Sequence, residues 1–279
     1  MWLSFALLSG FFYTIQGLLT RHVLKGIKKD AWAFSFYFSA VGALISLPFM
    51  LQNFQVGYSV NSWIIMLIVG LLIVAQNLLY FKSSNHIPAS VNGSITKFRL
   101  VWIFILGILI LNESLSLGKT IGTLLTVIAG ILIIKKSKEF GSVMGIIYSF
   151  SATIFYAIVI ILYKFLFKEF NSQSLTFFIF FIPAVINLIK MPNSLKRITH
   201  LAQTDGMKVF IACTCGAFAN LAMNYSLSLG ETSRVIVIIE SFLVITLVGE
   251  AIFLKEKDGL MIKIIAVLLA VFGAILLKV

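Results

Sequence analysis

Apolar runs fill this chain almost from end to end. Ten can be marked, over residues 2–24, 31–51, 62–81, 89–111, 117–134, 142–165, 174–189, 208–227, 232–254 and 260–277. Each is continuous, and most approach the roughly 20 residues that a helix needs to cross the hydrocarbon core of a bilayer. The pattern predicts an all-α membrane protein of ten transmembrane helices. It argues against a barrel, whose strands alternate apolar and polar positions. The breaks are short and polar or helix-breaking, as at Lys28-Lys29-Asp30, Asn85-His86-Ile87-Pro88, Asn112-Glu113-Ser114, Lys135-Lys136-Ser137-Lys138 and Met191-Pro192-Asn193. Connections this short leave no room for a soluble domain between helices.

The pattern also repeats. Sliding the chain against itself by 143 positions aligns its two halves without a gap, pairing Tyr13 with Tyr156, Asn77 with Asn220, Ser83 with Ser226, Ser90 with Ser233, Glu113 with Glu256 and Gly130 with Gly273. Apolar matches come cheaply in such a sequence, but polar, glycine and charged matches at one constant offset do not. The reading is two repeats, residues 1–140 and 141–279. Five helices is an odd number, so the second half would enter the membrane from the opposite side. An inverted repeat of this kind is an architecture of secondary transporters, with the site at the midplane between the halves.

Composition agrees with a membrane protein: 60% of residues are hydrophobic and 11% charged. The net charge of +12 does not indicate nucleic acid, because the basic residues sit in short clusters between apolar runs. Connections after the odd-numbered segments, together with the segment ends that flank them, hold 15 of the 22 Lys and Arg, which orients those connections to the cytoplasm and both termini outside. Cys213 and Cys215, one residue apart in an apolar run, read as buried reduced thiols, and the three histidines form no ligand spacing. Neither a metal nor a cofactor is expected. Gly118-Lys119-Thr120 ends like a phosphate-binding loop, but Glu113 stands where that loop needs glycine. No hydrolase or protease motif is present.

Each half closes in the same way: Ile-Leu-Asn-Glu113 and then an apolar segment with Gly130-Ile-Leu-Ile-Ile, and Phe-Leu-Lys-Glu256 and then one with Gly273-Ala-Ile-Leu-Leu. In these two copies, which cover the whole chain, the sequence resembles the EamA-type branch of the drug/metabolite transporter superfamily. The resemblance implies a ten-helix transporter. Members of that branch often carry a proline in the fourth helix of each half, where this chain has Leu100 and Leu243.

Ionised groups inside the hydrocarbon cost about 2.5–3.5 kcal/mol each, so those that remain there are candidates for function. Lys97 and Arg99 fall near the centre of the fourth segment and Glu240 near the centre of the ninth; Lys97 plus 143 is position 240. On a helix of about 100° per residue, Asn92, Thr96, Arg99 and Ile103 share a stripe about 60° wide. The stripe is polar up to Ile103 and so faces protein or water. Lys97 lies off it. The expectation is that Arg99, Lys97 and Glu240 border one central cavity; the bland alternative is an ion pair that only fixes packing. Weaker candidates within apolar runs are Tyr13, Gln16, Gln76, Asn77, Tyr80, Tyr156, Asn220 and Asn224, with Trp102 one turn beyond Arg99. Glu113 and Glu256, at helix ends, read as structural.

The function expected is alternating-access transport of a small anionic or zwitterionic metabolite in the cell (inner) membrane. The rival readings are export of cationic compounds in exchange for protons carried by Glu240, and a channel or membrane-embedded enzyme. The partners are membrane lipid, the solute, protons as a coupling ion in the rival case, and a second copy of the chain as a homodimer.

Overall fold

The computed structural model describes residues 1–24, 30–87, 91–92, 95–136, 142–253 and 265, 268, 269 and 272. Most of the tenth apolar segment, and with it Glu256 and Gly273, lies outside the described residues. The described elements are all helical. They are α1 (Trp2–Leu24), α2 (Ala31–Gln52), α3 (Val60–His86), a 3-10 turn (Thr96–Phe98), α4 (Arg99–Leu111), α5 (Leu117–Lys136), α6 (Val143–Leu166), α7 (Ser172–Lys190), α8 (Ser194–Leu229) and α9 (Thr232–Phe253). Among the described residues, six helices are long and apolar enough to cross a membrane: α1 over residues 2–20, α2, α3, α6, α7 and α8. Their outward faces carry large apolar side chains, such as Ile64, Leu67 and Leu71 on α3 and Ile147, Phe150 and Ile154 on α6. The interior instead holds Lys97, Asn77, Asn224 and Glu240. A water-soluble protein does not expose apolar stripes of this extent, whereas a multi-pass membrane protein must.

Helix starts are fixed by side-chain caps that satisfy N–H groups which have no partner within the helix. Asp30 Oδ1 accepts from Trp32 N at 3.0 Å and Ala33 N at 3.1 Å, Ser142 Oγ from Gly145 N at 3.1 Å, and Asn171 Oδ1 from Ser174 N at 2.8 Å. Two expected segments differ from their helices. The run 89–111 is not one regular helix, because its winding tightens to a 3-10 turn at Thr96 before α4 begins at Arg99. The run 208–227 is the apolar part of a longer helix: α8 starts at Ser194 and breaks at Asp205 (φ −137°, ψ 18°). Its first arm is too polar to register as a membrane run. Arg197 pairs there with Asp30 at 2.5 Å, and Ile198 O accepts from Tyr37 Oη at 3.1 Å, which holds the arm against the start of α2.

Hydrogen bonds join the connections into two sets. At one end Ser226 Oγ donates to Trp2 O (2.7 Å), Ser59 Oγ to Glu169 (2.7 Å), Thr232 N to Glu113 (2.8 Å), and Lys119 pairs with Glu231 (2.9 Å). At the other, besides the Asp30–Arg197 pair, Ser142 N donates to His86 O (3.3 Å). Successive described helices therefore run in opposite directions. Their packing also comes in matched sets: α1 on α8 and α3 on α6, α1 on α9 and α4 on α6, α2 on α8 and α3 on α7. The helices α2 and α7 pack on each other, as do α4 and α9. Under the 143-residue offset α1 corresponds to α6, α2 to α7, α3 to α8 and α4 to α9, so each of these contacts has its counterpart. Close approach at the centre depends on small residues. A Cβ on Gly42 would overlap the Phe180 ring, and one on Gly216 the Phe38 ring.

Candidate functional site

The buried centre of the bundle is an ion cluster. Lys97, at the 3-10 turn, donates from Nζ to Glu240 Oε2 at 3.0 Å and to the Glu240 carbonyl oxygen at 2.8 Å. Arg99, the first residue of α4, donates from a terminal nitrogen to Glu240 Oε1. One carboxylate on α9 is thus shared between two bases from the other half of the chain, one oxygen to each. The Glu240 side chain is 1% exposed and that of Lys97 6%, whereas Arg99 keeps 18%. Charges this deep are sustained only by such pairing.

Arg99 and Glu240 face a cavity of about 160 Å³; Lys97 does not line it and holds Glu240 from behind. The guanidinium of Arg99 lies 4.4 Å from the centre of the Tyr156 ring, a cation–π contact. Tyr13 and Tyr156, repeat mates, both donate from their hydroxyls to Met223 Sδ at 3.6 Å. A thioether is a weak acceptor, so a stronger one entering the cavity would draw these donors away. Three polar atoms on lining residues find no hydrogen-bond partner among the described residues: Thr20 Oγ1, Asn77 Nδ2 and Arg99 Nε. A buried polar atom left unpaired costs about 1–3 kcal/mol.

Of the sequence candidates, Tyr13, Gln16, Gln76, Asn77, Tyr80, Thr96, Arg99, Tyr156, Asn220 and Glu240 line this cavity. Asn92 does not. The stripe through it assumed one regular helix, and with the change of winding at Thr96 its Oδ1 instead accepts from Ser83 (2.8 Å) and Ser149 (2.6 Å). Trp102 packs on Phe150, away from the cavity, and Asn224 donates to Thr176 at 2.8 Å. Asn220 ties its amide nitrogen to Gly216 O on its own helix at 2.8 Å. Cys213 is buried, but Cys215 is only half-buried. Glu113 accepts at the start of α9 from Thr232 N, Ser233 N and Ser233 Oγ, a carboxylate at a helix N-terminus. Lys119 is fully buried, bound to Ser114 O at 2.7 Å and to Glu231.

Sequence reasoning missed Thr20, Ser39, Tyr163 and Met223 among the lining residues. Thr20 was within reach, since Tyr13, Gln16, Gly17 and Thr20 have the spacing of one helix face, and its repeat mate is Tyr163. Met223, in an apolar run, carries no polar signal at all.

A family model described as "EamA-like transporter family" matches residues 1–135 and again residues 143–279. The chain belongs to the EamA-like transporter family. That family is part of the drug/metabolite transporter superfamily, and its members are transporters. The EamA match is thus made twice, and the ion cluster draws Lys97 and Arg99 from the first matched stretch and Glu240 from the second. One solved structure, described only as "Crystal structure of protein", is similar over 98% of both chains, with a TM-score of 0.65 at 14% identity. At that identity the likeness extends to the fold. No curated protein matches the chain in sequence.

Proposed function

We propose that this chain is a secondary transporter of a small anionic or zwitterionic solute, working by alternating access, with Arg99 as the solute's anchor and Glu240 as the resident counter-ion that the solute displaces. The observation that carries the reading is the shared carboxylate. Lys97 holds one oxygen of Glu240 from behind, and Arg99 holds the other from the cavity side. Arg99 can therefore exchange Glu240 for an incoming anion without leaving Glu240 unpaired. A ligand shifts a conformational equilibrium only through different affinities for the two states, and an exchange of ion-pair partners supplies such a difference.

In this reading ten helices form two inverted five-helix repeats, residues 1–140 and 141–279, in the cell (inner) membrane with both termini outside. The matched helix contacts support the two-fold relation. Asn77, Asn220, Gln16, Thr96, Tyr13 and Tyr156 border the solute path, while Lys97 acts from behind it. The cavity volume of about 160 Å³ lies below the roughly 300–1,000 Å³ of sites for drug-sized ligands, which favours a small metabolite over a bulky compound. Export of cations by proton exchange on Glu240 is disfavoured, because both oxygens of that carboxylate are already engaged by bases.

Purified protein in liposomes, offered a mixed pool of small carboxylates, amino acids, phosphate esters and amines, provides the test, with vesicle contents read by mass spectrometry. Saturable entry of an anion-bearing solute that Arg99→Ala abolishes is expected. Entry unaffected by Arg99→Ala, or entry of amines alone under a proton gradient, contradicts the proposal. Orientation is read separately on intact cells: single cysteines placed within residues 52–61 should react with impermeant thiol reagents. Protection there, with labelling at position 136, reverses it.

A further inference from the structure

The two halves contribute unequally to the cavity. Several of its polar positions in the first half have apolar counterparts at the 143-residue offset: Gln16 corresponds to Val159, Thr96 to Ile239 and Tyr80 to Met223. Arg99 itself corresponds to Phe242. The polar groups that the second half does contribute are largely committed, with Asn220 bound to Gly216 O, Tyr156 to Met223 and Glu240 to Lys97 and Arg99. The unpartnered atoms Thr20 Oγ1, Asn77 Nδ2 and Arg99 Nε all belong to the first half. Among the described lining residues the unpartnered donors and the cation come from the first half, and the second half contributes an apolar wall of Val159, Ile160, Ile179 and Ile239.

The charges narrow the ligand further. Lys97, Arg99 and Glu240 sum to a formal +1, and only Arg99 presents its positive charge to the cavity. A phosphate dianion would have one exposed base for two charges. A zwitterion carries no net charge and would leave the +1 of the cluster uncompensated. An unpaired buried ion is strongly disfavoured. A ligand with a single negative charge leaves no charge unpaired.

Resting on the anion-carrier reading above, we infer that the solute is a monocarboxylate with an apolar body and no amino group, its carboxylate held by Arg99 and Asn77 and its body lying against the apolar wall of the second half. Asn77 is 8% exposed and carries one of the donors without a partner among the described residues, so a carboxylate there gives that donor an acceptor. In this reading the amino group, not the size of the side chain, separates ligand from non-ligand.

Four compounds sharing a phenyl ring test this by thermal-shift titration of the purified full chain: 3-phenylpropanoate, L-phenylalanine, phenethylamine and phenyl phosphate. 3-Phenylpropanoate should bind at least roughly tenfold more tightly than each of the others. Arg99→Gln should weaken it by roughly tenfold or more. Asn77→Leu provides a second readout: it removes the unpaired amide, so the unliganded melting temperature should hold or rise while affinity for 3-phenylpropanoate falls. Phenylalanine or phenyl phosphate binding best, in a manner lost with Arg99→Gln, overturns the monocarboxylate assignment and leaves the anion site standing. No stabilisation by any of the four, or equal stabilisation of Arg99→Gln and wild type, overturns both. Undiminished binding to Asn77→Leu removes Asn77 from the site and overturns the carboxylate geometry.

Discussion

Lys97 and Glu240 stand 143 residues apart, occupy the same position in the two halves of the chain, and touch: Nζ lies 3.0 Å from Oε2 and 2.8 Å from the Glu240 carbonyl oxygen. The contact brings the two repeats together at a single pair of mates. It leaves the second carboxylate oxygen to Arg99 on the cavity side. In the proposed cycle Lys97 fixes where Glu240 sits, and Arg99 is the base that changes partner.

This division of labour separates the two bases by mutation. Arg99→Lys keeps the charge but loses the planar, two-pronged donor, so transport should fall by roughly tenfold or more while the melting temperature changes little. Glu240→Gln leaves Lys97 and Arg99 buried without a counter-ion, and breaking a buried pair from one side costs about 3–5 kcal/mol. That variant should lose both stability and transport. The comparison needs melting curves and initial uptake rates for the two variants; equal loss of stability in both would contradict it.

The Asp30–Arg197 pair carries a pH signature. Burial opposes ionisation of Asp30, but the Arg197 side chain and the N–H groups of Ala33 and Trp32 outweigh it and hold the carboxyl below its ordinary value. A depressed folded-state value means that the stabilisation is full above the unfolded value near 3.9. It is lost as pH falls through the lower, folded value. Asp30→Asn should therefore destabilise by about 1 kcal/mol at pH 7 and by much less near pH 3. Melting temperatures of both proteins at the two pH values check this; a constant gap contradicts it.

Gly216 lies against the ring of Phe38, which lines the cavity and meets Phe180 edge-on with centroids 5.5 Å apart. A methyl group there must displace the ring. Gly216→Ala should lower stability by about 1–3 kcal/mol and narrow the site, seen as a lower melting temperature together with weaker solute binding. A variant as stable as wild type would show that Phe38 moves freely.

Much of this arrangement is legible in the sequence, for identifiable reasons. Membrane insertion turns each helix into a long apolar run, so α1, α2, α3, α6 and α7 stand out from their neighbours. The 143-residue register places Lys97 and Glu240 at equivalent positions before any contact is known. The rest depends on geometry that a one-dimensional pattern does not hold. The polar arm Ser194–Asp205 looks like a loop until its pairing with Asp30 is seen. The 3-10 turn at Thr96–Phe98 shifts Asn92 out of the stripe that ideal helical periodicity assigned to it. Lys97 and Arg99, two residues apart on one segment, reach one carboxylate because tertiary packing places Glu240 between them.

The central claim is that the Lys97–Arg99–Glu240 cluster binds the solute and is not merely a packing device. Replacing all three ions with apolar residues of similar volume tests it most directly, because such replacements are often neutral or stabilising when a buried cluster serves packing alone. The triple variant Lys97→Met, Arg99→Met, Glu240→Leu, reconstituted beside wild type, should remain folded, with a melting temperature no lower than that of Glu240→Gln, and should show no solute uptake above that of empty liposomes. Uptake at the wild-type rate by the folded triple variant would contradict the account and leave the cluster a structural ion pair.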